Sequence, residues 1–62
     1  MMTRKDYIKF AEVFRHWHQT LKENPDIYAN EMLKALEEDV ADIFLQDNER
    51  FDYKKFIKYI RD

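Results

Sequence analysis

The chain contains no glycine, and its only proline is Pro25. Small strand-rich folds turn on glycine or on Asn-Gly and Asp-Gly pairs, because tight hairpins need backbone at positive φ. With those residues missing and with Lys, Glu, Leu and Ala plentiful, the chain is left with helices joined at very few corners. The expected fold class is all-α.

Length narrows this further. Sixty-two residues make a single domain, 1–62, and a domain of roughly 60 residues buries only about 60% of the surface its unfolded chain exposes. Small folds often compensate with disulfides or thiolate zinc, but there is no cysteine. Stability must come from packing or self-association. Charged residues make up 39% of the chain, yet ten aromatics argue against disorder. The longest apolar run, Ile43-Phe44-Leu45, is far short of the ~20 residues a membrane span needs, and the start lacks the apolar run of a signal peptide. The expectation is a soluble chain of the cytoplasm with no membrane contact.

Apolar spacing divides the sequence into three helices, at about 4–23, 25–46 and 52–61. In the first, Tyr7, Phe10, Phe14, Trp17 and Leu21 recur at steps of three and four and form one stripe. Thr3 and Asp6 read as cap and N3 partner, with Met2 placed to pack on Tyr7. Asn24-Pro25-Asp26 reads as a stop and a start, with Asn24 as cap and Pro25 in the first helical position. In the second helix Tyr28 or Ala29, Met32, Leu33, Leu36, Val40, Ile43 and Phe44 make the apolar face, and Glu37-Glu38-Asp39 reads as a solvated run. In the third, Asp52 caps, Phe51 and Phe56 form a hydrophobic staple, and Tyr53, Phe56, Ile57 and Ile60 face inward. The expected architecture is a compact three-helix bundle, two longer helices and a short one, that self-associates.

Charge is laid out in blocks. Residues 1–22 hold five Lys or Arg against two acids, 23–49 hold one against nine, and 50–62 hold five against two. An acidic middle between basic ends lowers repulsion within a bundle and can stagger charge between subunits.

Candidate chemistry is sparse. There is no serine and no cysteine, and Thr3 and Thr20 have no evident base. Without glycine there is no phosphate-cradling loop. His16 and His18 are two residues apart and point about 200° apart around a helix, so they cannot share one ion; His18 is expected to flank the apolar stripe beside Trp17. The expectation is a protein that is not an enzyme and holds no metal or cofactor. Phe14, Trp17, Tyr28, Tyr53 and Tyr59 are the candidates for contact with a protein partner, self or foreign, through aromatic surface that three short helices leave uncovered. The alternative is an anion: nucleic acid along the basic faces, or a small ligand between subunits of an oligomer, with Arg4, Lys5, Lys54 and Lys58, and Arg50 near them, as the contacts.

Two stretches carry a likeness. Met2-Thr3-Arg4-Lys5-Asp6-Tyr7 at the start, and Asp47-Asn48-Glu49-Arg50-Phe51-Asp52 followed by Lys55-Phe56, resemble a group of small bacteriophage and prophage proteins. That group begins Met-Thr-Arg-Lys-Asp-Tyr and carries Asp-Asn-Pro-Arg-Phe-Asp with a basic-Phe pair after it. Glu49 stands where the group has proline, and the tail Lys58-Tyr59-Ile60-Arg61-Asp62 lacks the group's small-residue and cysteine ending. The resemblance implies a phage-encoded accessory protein of the bacterial cytoplasm, brings no established activity, and alone suggests inhibition of a defence component; the leading expectation is that the chain binds a host or phage protein. The resemblance brings no catalytic residues with it.

Overall fold

A capping box opens the first helix. The Asp6 carboxylate accepts the backbone N–H of Thr3 at 2.9 Å and the Thr3 hydroxyl at 3.1 Å. Those bonds, backbone first, hold the Asp6 carboxyl below its ordinary range. The computed structural model describes residues 3–62, so the contact expected of Met2 lies outside the described residues. Helix α1 runs Arg4–Glu23, α2 Ile27–Asp47 and α3 Tyr53–Arg61. The described residues thus form the all-α bundle of two long helices and one short.

The first corner differs from the expected one. Asn24 closes α1, its N–H donating to the Thr20 carbonyl at 2.9 Å. Asp26, not Asn24, caps α2, accepting from the N–H groups of Tyr28 at 3.0 Å and Ala29 at 3.2 Å. The helix therefore begins at Ile27 and leaves Pro25 in the link. Both residues flanking the proline are good caps, but only Asp26 brings a full negative charge to the positive end of the α2 dipole. At the far end α2 reaches Asp47, one residue past the expected limit. The third helix starts as anticipated: Asp52 accepts from Lys55 N–H at 3.0 Å, and the Phe51 and Phe56 rings lie 5.3 Å apart as the staple.

A three-residue link forces α1 and α2 into an antiparallel hairpin, and α3 lies along one side of it, touching both. The core joins one apolar pair from each helix: Ala11 and Phe14, Ala41 and Phe44, Phe56 and Ile60. The inward line of α1 passes through Ala11, Phe14 and His18, and that of α2 through Glu37, Ala41 and Phe44. Both lines are rotated away from the stripes that the large residues suggest. Small side chains at the centre let helix axes approach, so Ala11 and Ala41 take the contact and Phe10, Trp17 and Leu36 are turned to its edge. One end of the interior is aromatic, with Tyr7, Phe44, Phe51 and Phe56 packed tilted or edge-on at centroid distances of 4.8–5.7 Å. No helix is long and apolar enough to cross a membrane.

Candidate interaction surface

Helical spacing decides what the rotated inward lines leave outside. On α1, Phe10, Val13 and Trp17 fall on the same flank of the Ala11–Phe14–His18 line; on α2, Met32, Leu36 and Ile43 fall on one flank of the Glu37–Ala41–Phe44 line. Because the helices are antiparallel and both right-handed, these two flanks lie on the same side of the hairpin, opposite α3. All six are exposed, at 45% for Phe10, 51% for Trp17, 53% for Leu36 and 74% for Met32. Leu33 and Val40, half-buried, line the furrow between the two rows. The result is one apolar face built from both long helices, larger than the scattered exposed side chains usual on a monomer.

The interior end away from the aromatic cluster is ionic. Glu37 is fully buried, not solvated as its acidic neighbours suggest. His18, also buried, sets Nε2 against Glu37 Oε2. Arg61 donates Nε to Glu37 Oε1 at 3.2 Å and Nη2 to the Lys34 carbonyl at 3.4 Å. One carboxylate thereby ties all three helices together. His18 is thus a partner of Glu37, and the ring beside Trp17 is that of His16, 5.5 Å away. An imidazole against a carboxylate suits proton transfer, but among the described residues no hydroxyl or thiol lines the hollow beside His18. Among the described residues no group of three or more His, Asp or Glu is placed to hold a metal ion.

The five aromatic candidates separate. Phe14 is core, because its position one turn from Ala11 points it at the helix contact, so it offers no surface. Trp17 is in the apolar face. Tyr28 is exposed at the start of α2. Tyr53 is half-buried against the core, where burial, then Asp42 and Glu38, raise its phenol pKa above the ordinary value. Tyr59 lies on the α1–α3 seam. Its hydroxyl donates to Glu12, its ring lies 4.9 Å beneath the Arg15 guanidinium, and its carbonyl accepts from Arg15 Nη1 at 3.0 Å. The bond to Glu12, then desolvation, pushes its phenol pKa up. Only Trp17 of the five belongs to the continuous face, and Val13, Met32, Leu36 and Ile43 were the residues that aromatic character did not mark.

The basic candidates do not converge either. A cleft of about 530 Å³ between the start of α1 and α3 is lined by Arg4, Arg50 and Lys55 over Tyr7, Phe51 and Phe56. Lys5, Lys54 and Lys58 lie outside it, since Lys54 and Lys58 share the outer face of α3 and Lys55 is the one turned to the cleft. Comparison with protein-family models, with curated proteins and with solved structures finds no match to the chain.

Proposed function

We propose that this chain is a non-enzymatic accessory protein of phage type that acts by binding another protein through the bare face of the α1–α2 hairpin. The observation that carries the reading is the face itself: Phe10, Val13, Trp17, Met32, Leu36 and Ile43 on one side of the bundle, all open to solvent. Exposed apolar surface of this kind destabilises nothing while a partner covers it and is a liability when none does. The bacterial cytoplasm and a role against a host defence component are what the likeness of the two chain ends to phage proteins suggests.

A photo-crosslinking residue placed at Trp17 or Leu36 tests the reading inside cells, with Glu49 as the control position away from the face. Discrete protein adducts from the first two and none from the third are expected. Adducts that are absent, or equal at all three positions, overturn it.

A second reading has one observation in its favour, the cleft in which Arg4, Arg50 and Lys55 outnumber the single acid Asp52 and aromatic rings form the floor. A small aromatic anion fits that chemistry. Titration with a nucleoside monophosphate should shift the amide resonances of Arg50 and Lys55; resonances that stay put dismiss it.

A further inference from the structure

We infer that the bare face is covered by a second copy of this chain, related by a two-fold axis parallel to the hairpin, so that α1 of each copy lies on α2 of the other. This rests on the reading of that face as a protein contact and names its occupant.

Area is the first argument. The chain exposes 5055 Å², whereas a folded monomer of its 7.8 kDa exposes about 4400 Å². The excess, roughly 650 Å², approaches the ~800 Å² per partner that a standard protein interface removes from water. An isologous contact also hides the same apolar row on both copies at once.

Charge chooses the arrangement. Helix α1 carries five Lys or Arg against three acids, and α2 carries six acids against Lys34 alone. The face is bordered on its α1 side by Lys9 and His16 and on its α2 side by Asp39 and, at its end, Asp47, all exposed. None of the four forms an ion pair within the chain among the described residues. Two symmetric stackings cover the face. An axis across the helices would set α1 on α1 and α2 on α2, bringing the acidic rims together. An axis along them sets the basic rim of each copy on the acidic rim of the other.

Register agrees with the second arrangement. Phe10 packs beside Phe44 and His18 against Glu37, which fixes the height at which the antiparallel helices meet. Rotation about an axis along the helices leaves heights unchanged. His16 of one copy then stands level with Asp39 of the partner copy, and Lys9 stands level with Asp47 of the partner copy to within about one helical turn, a distance its side chain spans.

Sedimentation equilibrium of the full chain from about 1 to 500 µM provides the test, because that range brackets the affinities such an interface gives. A mass twice that of the chain is expected, and Leu36→Glu should be monomeric with unchanged helical circular dichroism. Lys9→Glu should weaken association about tenfold, and so should Asp47→Lys, since each alters two symmetric pairs; the double swap should return it to within about threefold of the parent. The swaps keep the test decisive even if Leu36→Glu fails to fold. Tighter association of Lys9→Glu would show α1 lying on α1 and overturn the arrangement. A parent chain that stays monomeric throughout overturns the dimer. Foreign adducts at positions 17 and 36 would then leave the protein-binding reading standing, and their absence would remove both.

Discussion

The two sides of the α1–α2 hairpin both carry apolar rows and have opposite fates. On the side that α3 covers, Ala11, Phe14, Ala41 and Phe44 meet Phe56 and Ile60 and exclude water; on the other, Phe10, Val13, Trp17, Met32, Leu36 and Ile43 remain in it. A third helix of nine residues is too short to close more than one side. Hydrophobicity therefore does not distinguish core from bare face in this molecule. What distinguishes them is which side the third helix occupies.

That contrast is sharpest in stability. Phe56→Ala removes the ring at the centre of the covered side and should lower the unfolding free energy by about 3–5 kcal/mol, enough to leave so small a domain largely unfolded. Leu36→Ala on the bare side should change it by less than about 0.5 kcal/mol at concentrations where the chain is monomeric. Thermal melts followed by circular dichroism compare the two, and equal losses would mean that the bare side is part of the monomer's core.

Glu37 comes next. Glu37→Ala leaves His18 and Arg61 without their shared carboxylate and should cost about 3 kcal/mol in urea unfolding; the triple variant His18→Leu/Glu37→Met/Arg61→Leu, apolar throughout, should recover most of the loss. Failure to recover would mean that the ionic end selects the packing of α3 as well as stabilising it. A smaller effect is expected from Asp52→Ala, which removes the cap holding the start of α3: about 1 kcal/mol, seen as a lower urea midpoint. Increased protease cleavage near Phe51 should accompany it, since that end of the cover loosens first.

The smallest effect lies on the seam between the sides' common helix and the cover. The Tyr59 phenol is raised by its bond to the Glu12 carboxylate, so the bond contributes fully below the ordinary tyrosine pKa and is lost as pH rises through the raised one. Alkaline titration by ultraviolet absorbance should show one late tyrosine move earlier in Glu12→Gln. Tyr53, raised chiefly by burial, should not move.

Local signals in the chain were good guides where local physics decides. Thr3 with Asp6, and Asp52 with Phe51 and Phe56, are short-range devices that need no tertiary partner, and each formed where spacing placed it. The Asn24–Asp26 corner misled because two competent caps flank one proline and the choice turned on charge at the end of α2. Helix α3 segregates its apolar and polar residues most sharply and was the easiest to orient; α2 does so least, since its apolar residues spread over an arc wider than one neighbour can cover. Glu37 was the largest departure. Nothing in Glu37-Glu38-Asp39 marks one carboxylate as internal, because its two partners come from positions 18 and 61.

The sequence by itself determined that this chain is helical, where its helices begin and end to within about two residues, and that its charge alternates basic, acidic, basic. Those properties depend on residues within a turn or two of each other. The tertiary structure alone decided which apolar stripe became core, that His18, Glu37 and Arg61 meet, and that Trp17 and Leu36 share a bare face. Each depends on the rotation of one helix about its axis relative to another, which the small contacts at Ala11 and Ala41 set and no single helix can encode.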